Sequence, residues 1–423
     1  MKNSLLEKEK FKSISKFLKS YLENIKKQNQ GFHAVIDDQK TIKSIENFSQ
    51  KFKGKFSHIV VLAIGGSALG TICLQQSLKH LYENELKSGK FPKLHVLDNI
   101  DPALIQAIED IIDYKKTLFI VVTKSGTTPE TLAQYFYFRS KTDAKKLDPK
   151  KHFVFITDPK KGLLREIANK EKIPSFEVPE NVGGRFSVLT PVGLLPASLI
   201  GINIKKLITG AKKMRQKFLS KSTEENLPFQ LAAIQYSLNK KGKTITVLMP
   251  YSQKLIRLAD WYRQLLAESI GKKLDNQGKA VNVGLTPVNA LGVTDQHSQL
   301  QLYNEGPNDK LIIFIETLKN GPTLKIPLPK NSDSDINFLK NTTFNKLFQV
   351  EKIATEQVLT ANNRPNITIQ IDQVNEESLG ELFMLFEGSI AFLGEFFNIN
   401  AYDQPGVELS KVLTKKMLSA KIN

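Results

Sequence analysis

The chain has 423 residues, 41% hydrophobic and 24% charged, which suits a globular protein with more than one core and excludes a disordered or fibrous one. Its formal net charge of +18 raises nucleic acid as a partner, but only seven of the 60 basic residues are arginines and the lysines scatter among acids, so the charge reads as lysine-solvated surface. One cysteine, Cys73, excludes an internal disulfide and a thiolate metal cluster, and fits a reducing, cytoplasmic setting.

The opening stretch MKNSLLEKEKFKSISKFLK lacks the uncharged apolar centre of a secretory signal. No run approaches the roughly 20 apolar residues of a membrane helix, so no membrane partner is expected. Residues 1–50 place Leu5, Phe11, Ile14, Phe17, Leu18 and Tyr21 at helical spacing and read as a helical arm packed on the protein.

From His58 the rhythm changes to short apolar runs: His58–Ile64, Leu94–Leu97, Thr117–Val122, His152–Ile156 and Ser175–Val178. The segments between them, such as Gly70–Leu86 and Thr131–Thr142, are long enough for helices, which predicts βαβ units around a parallel sheet. A second series follows at Thr244–Leu248, Ala280–Val283, Lys310–Glu316 and Asn366–Ile371, with helices at Gln253–Ile270 and Glu377–Phe397. Two α/β domains joined near 205–230 account for the pattern, and Asp403–Ile422 reads as a last amphipathic helix.

The first strand ends in IGGSALG (64–70). A dinucleotide fingerprint needs a third-place glycine where Ser67 stands, and an ATP-type loop needs a lysine where Thr71 stands. What remains is a small-residue turn with Gly66 and the Ser67 hydroxyl ahead of a helix N-terminus, a geometry for a single phosphate. The third strand runs into TKSGTTPET (123–131), with hydroxyls at Thr123, Ser125, Thr127 and Thr128, Lys124 among them, and Gly126 allowing close approach. Thr128 suits an N-cap, Pro129 the first helical position and Glu130 the helix dipole. One hydroxyl suffices for a cap; four at neighbouring strand ends point to a phosphate monoester in the crevice of a parallel sheet.

Further along, Glu268 lies near the end of IRLADWYRQLLAES (256–269), where periodicity alone reads it as a surface pair with Lys272. Arg185 in GGRF and His297 in TDQHSQ, read alone, are a surface arginine and a structural histidine, and Lys411 sits at the edge of the last helix's apolar arc. The six histidines are dispersed without ligand spacing, so neither a metal nor a cofactor is expected.

The pairing of IGGSALG with TKSGTTPET resembles the sugar-phosphate-binding domain of the phosphoglucose isomerase family. NVGGRFSVLTPVG (181–193), LLAESIGKK (265–273), TDQHSQLQL (294–302) and YDQPGVELSK (402–411) resemble that family's later motifs in the same order. The likeness runs from about residue 58 to 411. It implies an α/β fold of two sugar-isomerase-type (SIS-like) α-β-α sandwich domains with mainly parallel sheets, an N-terminal helical arm and a C-terminal helix. The expected boundaries are 1–50 for the arm, 51–215 and 225–398 for the two domains, and 399–423 for a C-terminal helix packing back towards the first domain. The implied activity is the aldose–ketose interconversion of glucose 6-phosphate and fructose 6-phosphate through ring opening and a cis-enediolate, as used in glycolysis and gluconeogenesis. The resemblance assigns Glu268 as the proton-shuttling base, Arg185 to the enediolate charge, and His297 and Lys411 to ring opening. Gln264 and Gln404 fall on substrate-side positions, beside the phosphate-binding set Gly66, Ser67, Thr123, Lys124, Ser125, Thr127 and Thr128. It further implies a homodimer in which His297 comes from the neighbouring subunit. A broader isomerase that also takes mannose 6-phosphate, and a non-catalytic sugar-phosphate-binding protein, are the alternatives.

Overall fold

The structure, a computed structural model, describes residues 8–86, 89–329 and 334–419. Two parallel sheets form its centre. The first comprises β1 (His58–Leu62), β2 (Lys93–Leu97), β3 (Thr117–Val122), β4 (Phe153–Thr157) and β5 (Ser175–Glu177), in the order β2-β1-β3-β4-β5. Every pairing in it is parallel, and β1, β3 and β4 are almost wholly buried, as expected for strands covered by helices on both faces.

The second unit holds β6 (Ile245–Tyr251), β7 (Lys272–Leu274), β8 (Ala280–Val283), β9 (Thr286–Asn289), β10 (Lys310–Thr317) and β11 (Asn366–Ile371). Its parallel sheet runs β11-β10-β6-β9. Here the sequence reading placed one strand wrongly. Ala280–Val283 does not enter this sheet; it pairs antiparallel with Lys272–Leu274 in a small hairpin. The turn between them is closed by Asp275, whose carboxylate accepts from the N–H groups of Gln277 and Lys279. The fourth strand of the sheet is Thr286–Asn289, a Pro-containing segment tolerated because it lies at the edge.

A hydrophobic cluster runs continuously from the first sheet through the helices into the second. The helix Ile204–Phe218 packs along Glu376–Phe397 so closely that a Cβ at Gly210 would lie 1.8 Å from the Glu377 carbonyl oxygen, and one at Gly380 2.0 Å from that of Leu207. Glycine is required at both places. The helical arm packs as expected: Leu18, Leu22 and Ile25 are buried, Phe11 meets Phe229 edge-on, and Tyr21 meets Phe396. No helix among the described residues is long and apolar enough to cross a membrane.

The last helix departs from expectation. Glu408–Ser419 is exposed along its whole length, including Leu409, Val412, Leu413, Met417 and Leu418, and does not pack back on the first unit within the chain. Its apolar residues are left uncovered within the chain. Residues 420–423 of that segment, residues 1–7 of the arm, and Leu86's neighbours 87–88 lie outside the described residues.

Candidate active site

The two phosphate-type turns follow β1 and β3, which are adjacent central strands, so both open at the C-terminal edge of the first sheet. After β3, Thr123 and Thr128 bring their hydroxyls to 2.6 Å, and each lies 3.3 Å from the Ser125 hydroxyl. Thr127 joins through its N–H and hydroxyl, both donating to Ser125 Oγ. Thr128 stands at the N-cap of Pro129–Ala144, but its side chain makes no capping bond. Its hydroxyl turns to Thr123 instead, leaving the first amides of the helix for an anion. After β1, Gly66 opens the helix Gly66–Leu78, which ends at Leu78 rather than running to Leu86 because Lys79 is extended.

The Lys124 side chain is already engaged by main-chain oxygens. Its ammonium donates to the carbonyl oxygens of Glu180 (2.7 Å) and Val182 (2.9 Å), and burial pulls its pKa down. It braces the loop that leads into Gly183-Gly184-Arg185.

That loop and the first turn are pressed together. A Cβ at Gly66 would fall 2.5 Å from both the Arg185 nitrogen and the Gly184 carbonyl carbon, so only glycine lets the backbones meet. Gly65 in turn faces the Gln264 amide, which would lie 3.0 Å from a Cβ there.

Arg185 is 3% exposed and binds two distant segments, 268–269 and 401–404. Its Nε donates to Ser269 Oγ (2.8 Å), Nη1 to Gln404 Oε1 (2.8 Å), and Nη2 to the carbonyl oxygens of Ala401 (2.7 Å) and Asp403 (3.0 Å). The fifth donor reaches Glu268 Oε2 at 3.4 Å, a long contact that acts chiefly through charge. All five guanidinium donors are engaged. Burial lowers the guanidinium pKa from its usual range, and the Glu268 and Asp403 carboxylates oppose this. To donate directly to an enediolate, Arg185 must release Glu268 or Gln404; as it stands, its cation acts on the site as a field.

Glu268 sits in the last turn of Ile256–Ile270, with its side chain one-third exposed, and accepts from the Gln264 amide at 3.1 Å. The helix is held by Trp261 against Phe383 and Tyr262 against Phe386, which fixes the rotation that aims Gln264 and Glu268 at Gly65 and Arg185. Lys272 is not the exposed partner suggested by i,i+4 spacing. Its side chain is 5% exposed, and its ammonium donates to the main-chain oxygens of Glu268 (2.6 Å) and Asp403 (2.9 Å). Sequence reasoning also missed Ser269 and Asp403. The signal was there in a cation two residues past a helix C-terminus, where unsatisfied carbonyls need donors.

The Arg185–Glu268 cluster does not include His297 or Lys411. His297 ends a short 3-10 turn and is exposed, and Lys411 is exposed and paired with Glu408 at 2.8 Å.

The arrangement therefore sets a carboxylate beside a buried cation and two amide side chains, against the Gly65–Gly66 turn at the end of β1. This suits proton transfer at carbon with stabilisation of an oxyanion. Comparison with known proteins points the same way. The profile of the phosphoglucose isomerase family matches residues 27–422. A glucose-6-phosphate isomerase of Carboxydothermus hydrogenoformans is 45% identical over 418 residues, 97% of this chain and 89% of that protein. Among solved structures, a Thermus thermophilus protein described as hypothetical superposes with a TM-score of 0.88 at 33% identity, covering 96% of this chain and 97% of that one. A glucose-6-phosphate isomerase from Chlamydia trachomatis shares the fold with a TM-score of 0.84 at 22% identity, covering 98% and 86%.

Proposed function

The chain belongs to the phosphoglucose isomerase family, and from that premise we propose how its residues divide the work. The activity is the reversible isomerisation of glucose 6-phosphate and fructose 6-phosphate, an aldose–ketose step of glycolysis. The substrate phosphate rests on Ser67 and the hydroxyls of Thr123, Ser125, Thr127 and Thr128, with the helix amides after Gly65 and Thr128 behind them. Held there, the open-chain sugar lays C1 and C2 along Glu268. The carboxylate takes the proton from C2 of the aldose, the electron pair moves into a C1–C2 double bond, and the aldehyde oxygen becomes the enediolate oxyanion. Return of the proton to C1, with transfer of the O2 proton to O1, gives the ketose. Arg185 supplies the fixed positive charge, and Gln264 and Gln404 hold the base and the sugar in register.

His297 and Lys411 carry ring opening, and both reach the centre on assembly of a homodimer, His297 from the neighbouring subunit. Their exposure in the single chain supports this division, as does the uncovered apolar face of the last helix. The reaction takes place in the cytoplasm.

One observation carries the reading: four residues from three distant segments, Arg185, Gln264 with Glu268, and Gln404, interlock beside Gly65 and Gly66. The test is conversion of fructose 6-phosphate by the wild-type protein and by His297→Ala, with mannose 6-phosphate followed in the same tubes. Mixing His297→Ala with an inactive Glu268→Gln protein should restore part of the glucose 6-phosphate production if the histidine crosses the interface. Mixtures no more active than His297→Ala alone would contradict the shared site.

A further inference from the structure

The base is held in place by more than Arg185. Glu268 lies in the final turn of Ile256–Ile270, where main-chain carbonyls have no partner within the helix. Its own carbonyl oxygen is taken by the Lys272 ammonium at 2.6 Å. The same ammonium donates to the Asp403 carbonyl oxygen at 2.9 Å and lies 3.6 Å from the Asp403 carboxylate. Arg185 binds that Asp403 carbonyl from the other side at 3.0 Å. One oxygen of the 401–404 segment thus sits between two buried cations, and Gln404 follows it directly.

We propose that Lys272 is a positioning residue for the base: its ammonium clamps the last turn of the helix to the 401–404 segment and, with Arg185, sets the positive field in which the Glu268 carboxylate works. The proposal rests on the reading of Glu268 as the base. Two like charges this close are costly to bury unless anions and carbonyls answer them. Burial, with Arg185 beside it, lowers the Lys272 pKa, and Asp403 and Glu268 oppose this. The charged groups on the elements packed around the Glu268 turn are Arg185 from the 184–186 turn, Lys272 from β7 and Asp403 from the 401–404 segment; Gln264, Ser269 and Gln404 are neutral. A purely structural clamp would be served by any donor at this place. A field would not, and that separates the two.

The test is the steady-state kinetics of fructose 6-phosphate isomerisation by Lys272→Met and Lys272→Arg beside the wild type and Glu268→Gln, with the folded fraction of each followed by thermal unfolding. Lys272→Met keeps the apolar stem and loses the charge. Its kcat should fall about tenfold with KM changed less than about twofold. Lys272→Arg, which keeps the charge, should restore most of kcat, and it carries the test if Lys272→Met does not fold. A wild-type kcat in Lys272→Met overturns the proposal, as does a folded Lys272→Arg with kcat lowered about tenfold, or a fall in kcat that only tracks the folded fraction. If Glu268→Gln keeps near-normal turnover, the base assignment falls and this proposal with it. If Glu268→Gln is inactive while Lys272→Met behaves as wild type, only the role of Lys272 falls.

Discussion

Glu387 stands in the middle of the helix Glu376–Phe397 with no exposed surface, and neither carboxylate oxygen has a hydrogen-bond partner among the described residues. Burial alone pushes its pKa well above the usual carboxylate range, so the folded protein holds it protonated. The unfolded chain releases that proton near the ordinary carboxylate pKa. Between the two values only the folded state binds the proton, and raising the pH favours unfolding by about 1.4 kcal/mol per unit. The contribution is therefore fully present in acid and drains away as pH climbs towards the folded-state pKa. Glu387→Gln removes the titration and keeps the shape. Every other titrating group is common to both proteins, so the difference between them isolates this one site. Going from about pH 5.5 to 7.5, Glu387→Gln should gain on the wild type by up to about 2.7 kcal/mol, the ceiling reached when the folded carboxyl stays protonated throughout, which for a chain of this size is roughly 3 °C in Tm. The assay is thermal unfolding across that range, followed by the fluorescence of Trp261, the single tryptophan and a buried one. The slope of the difference carries the test, since a fixed offset from replacing acid by amide cancels. Parallel Tm curves would refute the argument and mean that the carboxylate finds a partner or water in solution.

Two further perturbations address the site. Thr128→Val removes a hydroxyl from the Thr123–Ser125–Thr128 cluster without removing a helix cap, so affinity for phosphorylated ligands should fall by about 1–3 kcal/mol while Tm barely moves; calorimetric titration with fructose 6-phosphate reads this, and unchanged affinity would put the phosphate elsewhere. Gly66→Ala drives a methyl group into the backbone at Gly184 and Arg185, so kcat should drop at least tenfold as the guanidinium and Glu268 lose register; a variant with wild-type kinetics would show that the contact is slack.

Much of this architecture was legible because apolar runs such as Thr117–Val122 and His152–Ile156 have no use except as buried parallel strands, and the structure places them there. Thr286–Asn289 was not legible: four residues with a proline carry no period-2 signal, whereas Ala280–Val283 carries one and spends it on a hairpin. At the site, the hydroxyl cluster after β3 could be read from composition, since four hydroxyls exceed what one cap needs. The true surroundings of Arg185 could not. Its partners come from positions 268–269 and 401–404, and no local pattern announces pairings over more than 200 residues. Lys272 was misjudged for a related reason. Helical spacing pairs it with the Glu268 carboxylate, but the helix ends at Ile270, and past that point the lysine meets the main-chain oxygen instead. Lys124 shows the same limit: its place in the phosphate turn is local, while the carbonyls it holds are more than fifty residues away.

The central claim is that Glu268 moves a proton between C1 and C2 beside the Arg185 cation. Its most direct test is to incubate fructose 6-phosphate with wild type and Glu268→Gln in deuterium oxide and follow label at carbon by NMR, with ligand affinity measured in parallel. The account predicts deuterium at C1 of the ketose and C2 of the aldose with the wild type, and intact binding without label in Glu268→Gln. Label entering at the wild-type rate in Glu268→Gln would contradict it.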